Sequence, residues 1–205
     1  MSAAASNGHV EVVRYLLENR IGLDSLRALD EAVKKGHVEI VELLCAHGFN
    51  FIAGSTAIED AVKNDRLDTI QVLCESGIDG AVELGFWHAV KLGKIAIVKF
   101  LYELDPKRCV SDADDGNNMA RIAAEKGYLD IIKFFNECGD SSIFFDSGIL
   151  HCAAVHGHLD IVKYLLENHD EFYYPVTLEH ALREGHHHVV AYMRASSDKQ
   201  HPTSC

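Results

Sequence analysis

The chain has 205 residues, 48% of them hydrophobic, 24% charged and only three proline, a composition that builds a packed core and does not match a disordered tail. Its 19 Lys and Arg against 31 Asp and Glu give a net charge of −12, which argues against nucleic acid as the main partner because phosphate binding needs local positive charge. No window reaches the roughly 18 uncharged apolar residues of a membrane span, and the opening residues lack the basic start and apolar core of a secretory signal.

From the first residues onward one phrase returns seven times. Its copies are anchored at Gly8, Gly36, Asp65, Gly93, Gly127, Gly157 and Gly185, separated by 28, 29, 28, 34, 30 and 28 residues. Four residues before each anchor stands an alanine: Ala4, Ala32, Ala61, Ala89, Ala123, Ala153 and Ala181. A small residue held in register predicts that neighbouring helices approach closely there. Four and five after the anchor come apolar pairs such as Val12/Val13, Ile40/Val41 and Ile161/Val162, and eight after it Leu16, Leu44, Leu73, Leu101, Phe135, Leu165 and Met193. That spacing is one face of a 3.6-period helix. The apolar residues before the anchor form a shorter helix that ends near it.

Each unit is therefore two short helices and a tight turn. Gly48, Gly77 and Gly139, after the second helices, read as left-handed C-caps. Thr56-Ala57-Ile58-Glu59 has capping-box spacing for the first helix of unit three. Two helices of this length enclose no core alone, so each pair must stack on the next, as in a solenoid. The expected fold is mainly all-α, one domain over 1–195 followed by a polar tail, 196–205.

The residues resemble the ankyrin repeat. Leu150-His151-Cys152-Ala153-Ala154-Val155-His156-Gly157-His158-Leu159 is similar to that family's central motif, and Asp115-Gly116-Asn117-Asn118-Met119-Ala120-Arg121-Ile122-Ala123-Ala124 to its hairpin-plus-helix opening. The resemblance spans nearly all of 1–195, like the short, divergent repeats of protist and giant-virus ankyrin proteins. The family period is near 33, so the shorter steps here imply clipped loops, and only the 34-residue step before Gly127 has room for a full β-hairpin finger. The chain opens inside the first helix of unit one, which suggests either a segment of a longer protein or a half unit acting as a cap. In unit seven, polar His187, His188 and Arg194 give a cap-like character.

No phosphate loop, nucleophile elbow or HExxH occurs, so no enzyme and no cofactor is expected. The resemblance gives His9, His37, His158 and His186, each one after an anchor, a loop-bracing role. Consecutive His186, His187 and His188 diverge by about 100° each on a helix and cannot share one ion. One set has zinc-like spacing: Cys152 and His156 four apart on one helix, His180 and Glu184 in the same columns of the next, with stacked helices roughly 8–10 Å apart. The plainer reading makes all four solvent-facing interaction residues, and no metal is expected. Cys45 and Cys74 stand where other units have leucine, so they read as buried core thiols. Cys109 and Cys138 are placed in loops, and a reducing, cytoplasmic setting is assumed.

What remains is partner binding. In ankyrin-like stacks the first helices line the concave face, and the two residues before each anchor point outward: Ser6/Asn7, Lys34/Lys35, Lys63/Asn64, Lys91/Leu92, Glu125/Lys126, Val155/His156 and Arg183/Glu184. A basic strip on an acidic body would draw in an acidic segment, unless Asp30, Glu31 and Glu59 neutralise it within their own helices. Trp87 and His88, Arg121 and Ile122, and Cys152 and Val155 add an amphipathic patch in neighbouring columns. Trp87, the only tryptophan, stands where the family usually has histidine, and Trp and Arg dominate interface energetics. The alternative for Trp87 is packing onto Phe86. Phe49/Phe51, Phe144/Phe145 and Tyr173/Tyr174 are expected to cover core ends, with Ile21, Leu23 and Ile78 in comparable places.

The reading is a protein-binding module, a monomer that engages another protein through Trp87, His88, Lys91, Arg121 and Lys126 and their neighbours, with no nucleic acid and no membrane. Two further readings stay open: a repeat arm of a larger ligase or enzyme, and a secreted effector that binds a host protein.

Overall fold

A computed structural model describes residues 1–23, 27–51, 55–110, 113–138, 147–169 and 175–200. Among the described residues there are fifteen helices and no strand. The chain divides into two compact units, Met1–Cys109 and Val110–Cys205.

The first unit holds α1 (Ser2–Ser6), α2 (Val10–Glu18), α3 (Ala28–Lys35), α4 (Val38–Ala46), α5 (Ala57–Lys63), α6 (Leu67–Glu75), α7 (Ala81–Lys91), α8 (Ile95–Leu104) and α9 (Pro106–Cys109). Its first helices pack in file, α1 on α3 on α5 on α7, and its second helices likewise, α2 on α4 on α6. The second unit repeats the pattern with α10 (Ala113–Lys126), α11 (Leu129–Glu137), α12 (Ser147–Val155), α13 (Leu159–Asn168), α14 (Pro175–Arg183) and α15 (His187–Gln200). There α10 packs on α12 and α12 on α14, while α11 packs on α13 and α13 on α15. Within each unit these contacts join neighbours in the repeat, as a solenoid requires.

The sequence columns become the core. Ala32, Ala61, Ala89, Ala123, Ala153 and Ala181 are buried, as are the leucines and their substitutes from Leu44 to Met193. Removing a branched side chain from such a site, as in Ile40→Ala, costs about 2–5 kcal/mol.

One backbone motif closes the first helix in all seven repeats. The N–H one after the anchor donates to the carbonyl of the column alanine, from His9 to Ala4 at 3.0 Å through Lys94 to Ala89 at 2.8 Å to His186 to Ala181 at 2.9 Å. This is the long bond of the Schellman motif, and it needs a left-handed residue at the anchor. The glycine anchors have φ between +71° and +83°, and Asp65 takes the same role at +55°. Gly48 and Gly77 do the same after α4 and α6, whereas Arg20, at φ +55°, does it after α2. Gly139 lies outside the described residues.

Several local expectations change. The extra length of the 34-residue step holds α9 and part of a long α10, and the described residues there form no hairpin. Cys109 is the last residue of α9 and is buried, with its thiol donating to the Leu101 carbonyl at 3.3 Å. It is not a loop cysteine, because α9 folds the chain back against α7 and α8. The start of α5 departs from a capping box: the Thr56 hydroxyl donates to Asp60 at 3.2 Å, and the Ser55 hydroxyl instead accepts the Ala57 N–H at 3.1 Å.

Candidate binding surface

The residue after each anchor reaches back over the preceding repeat's turn. His37 bonds the Ser6 carbonyl through Nε2 at 3.2 Å, and His158 the Glu125 carbonyl at 2.9 Å. Arg66 serves the same column, donating to the Val33 and Lys34 carbonyls at 3.1 and 2.6 Å. His186 lies against Gly157 without that bond, and His188 Nε2 lies 3.2 Å from a different acceptor, the carbonyl of Gly157 itself. His9 is exposed. At His37, Arg66 and His158 this column thus braces the turn of the preceding repeat. Arg66 is a member that histidine spacing alone misses; its signal was a long donor in the same column.

In the first unit the first helices carry a charged strip. Lys34 pairs with Asp60 of the next repeat at 3.8 Å, and Glu31 accepts the Ser6 hydroxyl at 3.2 Å. Neutralisation therefore runs between repeats and not along one helix, because the −5 column of one helix faces the −2 column of its neighbour. Asp30 is no surface partner either. It is buried with Oδ1 unbonded, its cost offset by its place in the first turn of α3, where the helix dipole favours an anion. Lys35 and Lys63 stand exposed with no ion partner among the described residues.

At the end of the strip, in α7, the Lys91 ammonium sits 4.6 Å above the centroid of the Trp87 ring, and His88 meets the indole edge-on at 4.8 Å. Trp87, His88 and Leu92 are half-buried and Lys91 is exposed. The alternative of Trp87 packing onto Phe86 gives way to this arrangement: Phe86 turns into the core, its ring 6.2 Å from Tyr102. Burial holds His88 below the ordinary imidazole range; Glu59 works against that shift and Lys91 adds to it. Its Nδ1 is buried without a hydrogen bond.

In the second unit, Arg121 and Ile122 on α10 are half-buried, as are Cys152 and Val155 on α12. The Arg121 guanidinium lies across Gly148, where an added Cβ would come within 2.6 Å of Nε. Lys126 is exposed and pairs with its neighbour Glu125 at 3.0 Å, a bond that holds the Glu125 carboxyl below its usual range.

The set Cys152, His156, His180 and Glu184 does not gather. His156 Nδ1 bonds the Cys152 carbonyl of its own helix at 2.9 Å, Glu184 faces Arg183 at 4.0 Å, and the His180 ring meets His151 at 5.2 Å. No group of three or more metal-ligating side chains forms among the described residues. The contact across α12 and α14 belongs instead to His151, whose Nδ1 lies 3.1 Å from the Thr177 hydroxyl. Its position in the tryptophan column was the available signal.

Cys45 and Cys74 are half-buried rather than fully enclosed. Burial still raises both thiols, Cys74 to about 11, and it pushes Cys109 up to about 12. Ile78 is buried at a core end as expected, and Phe49 and Phe51 are half-buried, but Ile21 and Leu23 are exposed. Phe144, Phe145, Tyr173 and Tyr174 lie outside the described residues. No described helix is long and apolar enough to cross a membrane.

A family model described as ankyrin repeats (3 copies) matches residues 1–83 and again 86–176. No curated protein matches the chain. The chain belongs to the ankyrin repeat family, whose members are generally protein–protein interaction modules and typically not enzymes.

Proposed function

We propose that this ankyrin repeat protein binds another protein through the face of its first helices, and that the partner presents an acidic or amphipathic segment. One arrangement carries the proposal. Lys35, Lys63 and Lys91 are exposed on successive first helices of a chain with net charge −12, and Lys91 is poised over the half-buried Trp87. A cation fixed over an indole offers a carboxylate its charge and an adjacent side chain a flat apolar ring. The helices are already packed, so little conformational entropy is lost on docking. The strip also speeds encounter with an acidic partner, an effect that fades with salt. Arg121, Ile122, Cys152, Val155 and His156 provide a comparable amphipathic face in the second unit.

The test is affinity capture with the wild-type chain beside Trp87→Ala/Arg121→Glu and Lys35→Glu/Lys63→Glu variants of unchanged helical content. A captured protein is then purified and titrated against each chain by isothermal titration calorimetry. Loss of at least tenfold in affinity in both double variants is expected. Equal affinity for wild type and variants would show that the surface lies elsewhere.

A further inference from the structure

In the first unit one side-chain contact recurs between successive first helices. The residue two before an anchor meets the residue five before the next: the Ser6 hydroxyl donates to Glu31 at 3.2 Å, and the Lys34 ammonium lies 3.8 Å from Asp60. Helix α5 packs on α7 as α3 packs on α5, so the same register sets His88 opposite Lys63. The run of acids stops there. His88 brings an imidazole where Glu31 and Asp60 bring carboxylates; burial holds it below the ordinary range, and its Nδ1 is buried without a hydrogen bond. Lys63 is exposed and makes no ion pair among the described residues.

The charges of the two helices show what is missing. Helices α5 and α7 carry Glu59, Asp60 and Glu83 against Lys63 and Lys91. Asp60 is taken by Lys34, and Glu83 by Arg108, whose Nε lies 2.8 Å from it. Glu59 alone is left against two lysines, so one positive charge stays unmatched. Glu59 is half-buried, its field reaches His88, and among the described residues it forms an ion pair with neither lysine. Lys91 lies over the ring of Trp87 instead. Lys63 and Lys91 share a column of helices roughly 8–10 Å apart, a separation that two flexible side chains can close around one carboxylate.

We infer that the partner supplies the acid that α7 lacks: a glutamate carboxylate docks between the Lys63 and Lys91 ammonium groups, and the next residue of that segment, an aromatic one, lays its ring on Trp87. The inference rests on the first-helix surface proposed above and names what that surface selects. The carboxylate takes for Lys63 the part that Asp60 plays for Lys34, with a charge-assisted bond to each ammonium. Exposed ion pairs are weak alone, and ring-on-ring contact adds apolar burial beside them. Selection therefore needs both side chains, adjacent in one segment.

Titration of the isotopically labelled full chain with capped peptides tests it, read by NMR at the indole N–H signal of Trp87, the only tryptophan. The probes are acetyl-Gly-Ser-Glu-Phe-Ser-Gly-amide and its Glu-to-Gln and Phe-to-Ala versions. The Glu-Phe peptide should bind with a Kd of about 1 mM, and each altered peptide at least about fivefold more weakly. His88→Glu restores the column's acid from within the chain. It should bind the Glu-Phe peptide at least about fivefold more weakly than His88→Gln, which is similar in size and uncharged. Ala96→Glu, exposed on α8 away from the strip, adds the same charge and should bind as wild type does. If His88→Glu loses helical circular dichroism, Lys63→Gln takes its place, compared with Lys63→Arg, which keeps the charge.

An altered peptide that binds as well as Glu-Phe overturns the inference, as does equal affinity within the variant pair, an equal loss in Ala96→Glu, or no binding of Glu-Phe at about 10 mM. The wider reading is decided separately, on the captured protein. If Trp87→Ala/Arg121→Glu weakens that protein while His88→Glu binds it like His88→Gln, the surface stands and the docked glutamate does not. If neither weakens it, the surface is wrong as well.

Discussion

The imidazole of His158 lies against Gly127, and its Nε2–H donates to the Glu125 carbonyl at 2.9 Å. A carbonyl only accepts, so this bond fixes which ring nitrogen carries the proton. An added Cβ at Gly127 would stand 2.7 Å from Cε1 and Nδ1 of that ring.

Two glycines of the same unit separate backbone strain from this packing. Gly185 has φ +83° with open space around it, and Gly127 has φ +79° under the His158 ring. Gly185→Ala should cost about 1–2 kcal/mol, the penalty for a side chain in the left-handed region. Gly127→Ala should cost more, because the ring must shift and the Glu125 carbonyl loses its donor. Urea unfolding at low protein concentration compares them, and equal losses would mean the ring yields freely.

The third repeat tests the same column by its exception. Asp65 stands at φ +55° without glycine's freedom, and Lys94 of the next repeat places Nζ 2.5 Å from its carboxylate. The carboxylate is 65% exposed, so the pair contributes at most about 1 kcal/mol. Asp65→Gly loses that pair but relieves the backbone, and the net change should stay within about 1 kcal/mol in either direction. Asp65→Ala loses the pair and keeps the strain, so its melting temperature should fall clearly below that of Asp65→Gly.

The helix pairs and their core were legible because period and burial obey the same rule: a column that recurs as small or apolar is a column that packs. Charge was less legible. Sequence spacing paired Asp30 and Glu31 with lysines of their own helix, but the nearest charge to Lys34 comes from the next repeat, a neighbour that one-dimensional spacing does not reveal. The latch on Arg66 was missed because the column was read as histidine chemistry, when any long donor satisfies the turn's carbonyls. Cys109 was placed in a loop because a four-residue helix such as α9 has no periodicity to detect.

The thiols offer a chemical check. Burial raises Cys109 to about 12 and Cys74 to about 11, and only the thiolate is the nucleophile. Alkylation of Cys109 in the folded chain at pH 8 should be at least about a hundredfold slower than in urea, with Cys74 also slowed. Peptide mapping after timed iodoacetamide exposure measures both rates. Fast native labelling of Cys109 would mean that α9 detaches from α7 and α8.

Acid should weaken the second unit through His151. Burial, then the neighbouring His180 and His156, holds this imidazole below its ordinary value of 6.5. A histidine depressed in the fold takes up a proton more readily once the chain unfolds. Its neutral form is therefore fully compatible with folding above pH 6.5, and stability is lost as the pH falls from there toward the folded value. The Thr177 hydroxyl at 3.1 Å does not oppose this, since it donates to a neutral Nδ1 and accepts from a protonated one. Desolvation and the two like charges carry the effect. Thermal unfolding at pH 7.5 and pH 5.5 should show a lower midpoint in acid, and His151→Gln, which keeps a hydrogen-bonding group there without titrating, should narrow that gap. A gap unchanged by His151→Gln would assign the acid sensitivity to other histidines.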